Sequence, residues 1–262
     1  MEILIFVKQV PDDAMEVHLD PASGKPATGN IDKVANAFDT YALELAARYV
    51  EANGGKVTVA AMGPKGTDSM LKNLLAVGAS KAYLFTDPSF ETGDENAIAS
   101  RLAQIEKKCE AENGAPFDLI LCGKESTDEI SGQVGARLAE KLGLPFVSSV
   151  IEVAPAGDKL IAKQETEDGY IKFETSMPAV YTIAKPGYDP RYPNIKAKLA
   201  ARKAVVPAFS AADACVADAE SFVELLGYTE PPKRQAGLKI QEKEAADTVA
   251  KAMEILTSDR VL

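Results

Sequence analysis

The chain is poor in the residues from which most catalytic and metal sites are built. Its 262 residues include three cysteines and one histidine. Cys109, Cys122 and Cys215 stand far apart without a CxxC pair, which excludes a disulfide framework and a cysteine zinc site. His18 alone leaves no HExxH and no His-rich metal centre. A Ser-His-Asp arrangement would need His18, which lies by the turn-rich Asp20-Pro21-Ala22-Ser23-Gly24, where a solvated loop histidine is expected. Positive charge is also scarce. With 29 Lys and Arg against 39 Asp and Glu, the net charge is −10, so the chain is not built to bind nucleic acid through phosphates. No apolar run reaches 18 residues, so no membrane span is expected. The first strand-like run begins at Ile3, which leaves no room for a leader peptide and gives a cytoplasmic expectation. Neither GxxxxGK[ST] nor GxGxxG is present.

What is present is a rich apolar content, 46%, arranged in alternating runs. Ile3–Val7, Lys56–Met62, Ala82–Thr86, Asp118–Cys122 and Phe146–Val153 read as strands. They are nearly continuous in apolar residues, as expected where both sheet faces are covered. Between them the three- and four-residue spacing predicts helices over Ala37–Ala52, Ser69–Val77, Glu95–Glu112 and Asp128–Leu142. Asn36 and Thr67 or Asp68 are the expected caps, and Gly54-Gly55, Gly78, Asn113-Gly114 and Gly143 the stops. Strand and helix in alternation give a doubly wound, mostly parallel α/β sheet. The pattern then breaks. Lys159–Glu165 and Tyr170–Ser176, joined at Asp168-Gly169, read as an added β-hairpin, followed by a strand over Ala179–Ala184. Beyond Lys185 come a proline-rich stretch, a basic helix around Ile195–Ala204 and a polar helix near Lys243–Leu256. The last has a modest apolar face (Ala246, Val249, Met253, Leu256) suited to docking on a partner. Three regions follow: 1–184, 185–205 and a C-terminal arm, 206–262.

In an open α/β sheet, ligands bind beyond the carboxyl ends of the strands where strand order reverses. If the first and fourth strands are neighbours there, Lys8-Gln9-Val10-Pro11-Asp12 meets Gly123-Lys124-Glu125-Ser126-Thr127-Asp128. The second loop suits phosphate: Gly123 allows close approach, Ser126 and Thr127 offer hydroxyls, and the next helix offers unpaired N–H groups. Gly132 is small enough for a ligand to lie against the helix. Simple capping accounts equally for Ser126, Thr127 and Asp128. The acidic Glu125, Asp128 and Glu129 oppose a pyrophosphate unless they face away. Lys8 reads either as a phosphate partner or as a solvated strand end, and Cys122 as a packed small residue.

Taken in order, several segments resemble the β-subunit of an electron-transfer flavoprotein over almost the whole chain. They are Val7-Lys8-Gln9-Val10-Pro11-Asp12, Asn36-Ala37-Phe38-Asp39 with Ala42-Leu43-Glu44, Met62-Gly63-Pro64, and Leu75-Ala76-Val77-Gly78-Ala79. Leu121-Cys122-Gly123-Lys124, Gln133-Val134-Gly135, Met177-Pro178-Ala179-Val180 and Asp189-Pro190-Arg191-Tyr192-Pro193-Asn194-Ile195-Lys196-Ala197-Lys198 continue the match. The resemblance implies a five-stranded nucleotide-binding domain, pairing with an α-subunit on which the arm docks, and a flavin-dependent dehydrogenase partner. It also implies an electron-carrier subunit without catalytic side chains of its own, passing electrons through bound flavin with bifurcation or confurcation. AMP fills the pocket in the mitochondrial-type branch, and a second FAD in the bifurcating branch of anaerobes. By motif, the nucleotide is lined by Phe6, Asn36, Ala37, Phe38, Asp39 and Met62, and by Gly123, Lys124, Glu125, Ser126, Thr127, Asp128, Gly132, Gln133 and Val134. Asp39 is the expected acceptor of a ribose hydroxyl. The VKQVPD opening and Gly93-Asp94 resemble the bifurcating branch, which favours FAD; Glu95, Asn96, Ala97 and Ile98 stand where that branch carries threonines. Gly63, Asp94 and Ala97 are then expected near the flavin and NAD(H).

The family's recognition loop carries an exposed leucine between Arg-Tyr and Pro-Asn-Ile. Here Arg191-Tyr192 runs directly into Pro193-Asn194-Ile195. Arg191, Tyr192 and Ile195 are the expected recognition residues, with Tyr192 or Ile195 either replacing the leucine anchor or buried in the chain's own core, and a 2-hydroxy-acid dehydrogenase stands beside an acyl-CoA dehydrogenase as partner. Six Lys or Arg lie within Lys185–Val205 against the one acid Asp189, a local charge able to orient an acidic partner. Two rivals share the layout. One is a subunit whose pocket holds only structural AMP or nothing. The other resembles the ATP-binding universal stress proteins, but Pro145 stands where that family's glycine would follow Gly132-x-x-Gly135.

Overall fold

The computed structural model describes residues 1–217, 219–233 and 236–261, so four positions of the expected arm, 218, 234, 235 and 262, lie outside the described residues. The chain divides into two compact units, Met1–Val17 with Pro26–Leu226, and His18–Lys25 with Gly227–Leu262. The first unit therefore continues past residues 184 and 205.

In chain order its first elements are β1 (Glu2–Phe6), β2 (Gln9–Pro11), β3 (Lys33–Ala35), α1 (Ala37–Asn53), β4 (Lys56–Met62) and α2 (Asp68–Leu75). Then come β5 (Lys81–Phe85), α3 (Glu95–Asn113), β6 (Leu119–Gly123) and α4 (Val134–Leu142). The antiparallel part and its continuation are β7 (Phe146–Ala156), β8 (Lys159–Thr166), β9 (Gly169–Ser176), β10 (Ala179–Ile183), α5 (Ile195–Arg202) and β11 (Ala208–Phe209). The main sheet has nine strands in the order β11-β5-β4-β1-β6-β10-β7-β8-β9. Neighbours are parallel from β11 to β7, and β7-β8-β9 is an antiparallel meander.

Side chains alternate across the parallel strands as the pleat requires. Ile3, Ile5, Val57, Val59, Leu119, Leu121 and Tyr181 face α1 and α2, where Leu43, Leu45 and Leu71 meet them. Leu4, Phe6, Ala60, Ile120, Cys122 and Val180 face α3 and α4, where Leu102, Ile105 and Leu138 meet them. The doubly wound reading holds, and both helix layers follow from strands that are apolar on both faces apart from buried Thr58 and Thr182.

Four local expectations are corrected. The five-stranded domain is a nine-stranded sheet, because the hairpin, β10 and the unforeseen β11 all join it. Part of the loop after β1 pairs with β3 as a two-stranded ribbon. The helix expected from Asp128 begins at Val134, since Ile130 and Gly132 both take positive φ (55° and 63°), a conformation that no helix continues through. Finally, neither Asn36 nor Thr67 makes a side-chain cap; both side chains are used elsewhere, as described below.

The second unit contains α6 (Ala245–Ser258), with Val249, Met253 and Leu256 exposed along one side. In its loop, Nδ1 of His18 stands 3.8 Å from Oε1 of Glu230. Among the described residues, no helix is long and apolar enough to cross a membrane.

Candidate functional site

A cavity of about 290 Å³ opens at the carboxyl ends of β1, β4 and β6, beside the point where the chain turns from one half of the sheet to the other. The first and fourth predicted strands are indeed neighbours there, β1 against β6. Phe6, Ala60, Met62 and Cys122 from the strands, with Ile98 and Leu102 from α3, supply an apolar floor. One wall is the loop from Gly123 to Gln133 and the first turn of α4, through Lys124, Glu125, Ser126, Glu129, Ser131, Gly132, Val134 and Gly135. The opposite lip is Phe90, Glu91, Thr92 and Gly93.

Two side chains at the start of α1 shape the loop wall. Buried Asn36 donates from Nδ2 to the carbonyl of Glu125 (2.8 Å), and its Oδ1 accepts from the N–H of Thr127 (3.1 Å). Buried Asp39 accepts from the N–H of Lys8 (2.7 Å) and from that of Gly123 (2.9 Å). These bonds tie the loops after β1 and β6 to one helix end. The approach is close: a Cβ on Gly123 would stand 2.4 Å from Oδ1 of Asp39 and 2.7 Å from Cβ of Phe38. So Gly123 is required by α1 itself. Burial pushes the Asp39 carboxyl up to about 7, against the pull of the Lys8 and Gly123 N–H groups and of Asn36.

Lys8 settles the acid question posed by the sequence. Its Nζ lies 2.8 Å from Asp128, 2.9 Å from Glu129 and 3.4 Å from Oγ of Ser126. Burial disfavours its charge, but hydrogen bonds and charge from Asp128 and Glu129 prevail and hold the amine above its ordinary range. Two of the three loop acids thus share one cation, which offsets one of their two charges. Cys122 is a packed residue whose thiol burial pushes far up, so it is not a nucleophile at neutral pH.

Eleven of the fifteen expected nucleotide residues line the cavity: Phe6, Asn36, Asp39, Met62, Gly123, Lys124, Glu125, Ser126, Gly132, Gln133 and Val134. Ala37, Phe38, Thr127 and Asp128 stand behind them, Thr127 held by Asn36 and Asp128 by Lys8. Gly63, Asp94 and Ala97, expected near flavin and NAD(H), do not line the cavity. Gly63 bonds to the carbonyl of Phe85 and packs on Thr67, whose hydroxyl donates to Gln9. Ala97 is fully buried, and its N–H is capped by the Asp94 carboxylate (3.0 Å). Their neighbours Gly93 and Ile98 are the residues that reach the cavity. The lip at Phe90–Thr92 was not anticipated from the sequence. It is the loop after a parallel strand, β5, and the carboxyl-end rule points to it as well.

The expected recognition residues lie apart from the cavity. Arg191 is bound by its own chain: its Nε stands 2.8 Å from Oε2 of Glu44, and its guanidinium also pairs with Glu51. Glu44 is buried, and burial would raise its carboxyl, yet Arg191 and Arg48 hold it below the ordinary range. Arg191 thus fastens its segment to α1. Tyr192 and Ile195 stand out from it, 95% and 80% exposed. Among the described residues, no group of three or more His, Cys, Asp or Glu is placed to hold a metal ion.

Residues 27–214 match the family model described as electron transfer flavoprotein domain. The electron transfer flavoprotein subunit beta of Megasphaera elsdenii is 35% identical over 271 residues, covering 100% of both chains. The subunit beta from Thermoanaerobacterium thermosaccharolyticum is 40% identical over 196 residues, 75% of this chain and 73% of the relative. The caffeyl-CoA reductase-Etf complex subunit CarD of Acetobacterium woodii is 36% identical over 196 residues, 74% and 72% of the two chains.

Proposed function

This chain belongs to the electron-transfer flavoprotein β-subunit family, and from that premise we propose that it passes electrons between NAD(H) or a flavin dehydrogenase and a second acceptor through bound flavin. It does so paired with an α-subunit in the cytoplasm, with electron bifurcation or confurcation. Membership removes the universal-stress-type alternative. The cavity carries the proposal. Its apolar floor suits an adenine ring, while the α4 N-terminus and the hydroxyl of Ser126 suit a phosphate. Lys8 pairs with both Asp128 and Glu129 and offsets one of their two charges, which lowers the repulsion an anion meets at this acidic loop.

FAD is the leading ligand; Phe6, Met62 and the loop from Gly123 to Val134 would hold its adenine and phosphate part. AMP is the second reading, favoured by size, since about 290 Å³ lies at the low end of ligand cavities. When bound, a flavin supplies the redox chemistry; the side chains of this chain bind, orient and screen it. Asn36 and Asp39 hold the loop in shape, and Lys8 sets its charge. Of the expected arm, 206–262, the part from Gly227 onward, which belongs to the second unit, docks on the α-subunit, and 185–205 faces a dehydrogenase through Tyr192 and Ile195. The name of CarD, a subunit of a caffeyl-CoA reductase complex, supports an acyl-CoA-type partner over a 2-hydroxy-acid one.

Anaerobic mixing of the αβ complex with NADH tests the proposal. Bleaching of the flavin absorption is expected. Bleaching only by a reduced flavin dehydrogenase would remove NAD(H) as donor, and bleaching by neither contradicts the electron-transfer role.

A further inference from the structure

The cavity lip is bracketed by two aspartates, and both hold the same distant stretch of chain. Asp87 precedes the lip. Its Oδ1 accepts from the N–H of Ser89 (3.0 Å) and its Oδ2 from the N–H of Ala211 (3.2 Å). Asp94 follows the lip. Its Oδ1 caps α3 through Ala97, while its Oδ2 accepts from the N–H groups of Phe222 (2.6 Å) and Val223 (3.0 Å). The N–H of Asp94 donates in turn to Oγ of Ser221 (3.2 Å), and Nδ2 of Asn96 donates to the carbonyl of Glu220 (2.9 Å).

Between these two points the strap is tied down along the same edge. β11 pairs with β5, the N–H of Thr86 donates to the carbonyl of Phe209 (2.9 Å), and the N–H of Ala217 donates to Oε1 of Gln104 (2.9 Å). The lip has one anchor of its own: half-buried Phe90 packs on the core beside α3, and its N–H donates to the carbonyl of Asp87 (3.0 Å). Arg101 donates to the carbonyl of Thr92, and Glu91, Thr92 and Gly93 are exposed. An exposed turn with a single apolar anchor opens more readily than the sheet behind it, so its order depends on what grips its ends.

We propose that residues 208–217 and 219–223 form a strap that fixes the cavity lip through the carboxylates of Asp87 and Asp94, which act as positioning residues for nucleotide retention. This rests on the nucleotide reading of the cavity. It gives Asp94 a task different from contact with flavin or NAD(H): the carboxylate is spent on three backbone donors. It also links the site to the arm, because whatever orders or pulls the arm acts on the lip.

Val223→Pro tests this in the αβ complex, because it removes one strap donor while leaving Asp94 and its α3 cap intact. Val223→Ala keeps the donor and serves as the conservative control. Amide exchange at residues 89–93 and the release rate of bound nucleotide are the readouts. Loss of one bond to a charged acceptor should speed both about tenfold in the proline variant, with the alanine variant like wild type. Ser221→Ala, a milder change, should act in the same direction and decides the question if the proline variant fails to assemble. Unchanged exchange at the lip overturns the clasp, and faster exchange with unchanged release overturns its role in retention. Absence of any adenine nucleotide from the wild-type complex would instead remove the nucleotide reading, while lip exchange still tests the clasp.

Discussion

The loop wall of the cavity, 123–133, is fastened by buried side chains of α1, whereas the lip opposite is fastened by backbone amides of a strap as far as 129 positions away. The first set of fasteners belongs to the same buried layer as the sheet. Asn36 and Asp39 are among the least exposed polar residues of the chain, so the loop wall stands or falls with the fold. The second set is exposed, and on the proposal above it opens locally at lower free energy. One wall is therefore suited to define the ligand and the other to release it.

Gly123→Ala is the harshest way to break this contrast. The added methyl has no room beside Asp39, Phe38 and Asn36, which should cost about 3 kcal/mol of stability and abolish nucleotide retention; thermal melting and assay of bound nucleotide check both. A fully stable variant would mean that the loop yields as easily as the lip. Val223→Pro sharpens the contrast from the other side, because its about tenfold effect on the lip should come with almost no change in melting.

The smallest effect is a slope in pH. The folded Asp39 carboxyl titrates at about 7 against an ordinary 3.8. Between those values the folded protein holds a proton that the unfolded chain has lost, so stability falls as pH rises through that window. Asp39→Asn should flatten part of the slope, measured as urea midpoints at about pH 5 and about pH 8. Glu106, raised to about 7 by burial and by Glu110, keeps the remainder. An unchanged slope would show that the two N–H groups keep Asp39 ionised throughout.

Much of this was legible in the chain itself. Continuous apolar runs locate the parallel strands, and the switch-point rule brings the loops after β1 and β6 together once those strands are taken as neighbours, as they are. The loop at 128–133 was misread because Asp128 and Glu129 look like the acidic first turn of a helix. Ser131-Gly132 was the available warning, since glycine there takes the left-handed backbone that ends the loop. Lys8 with Asp128, Arg191 with Glu44, and Asp94 with Phe222 were out of reach for another reason. Their partners are 120, 147 and 128 positions apart, and no local periodicity records a pairing made only by the tertiary fold. The sequence therefore shows the acidity of the loop without the lysine that offsets part of it.

On the proposed reading the cavity holds a flavin nucleotide and not a purely structural one, and extraction and counting of cofactors from the purified αβ complex decides between the two. Two flavins per αβ pair is the predicted result; one flavin with one AMP would contradict it.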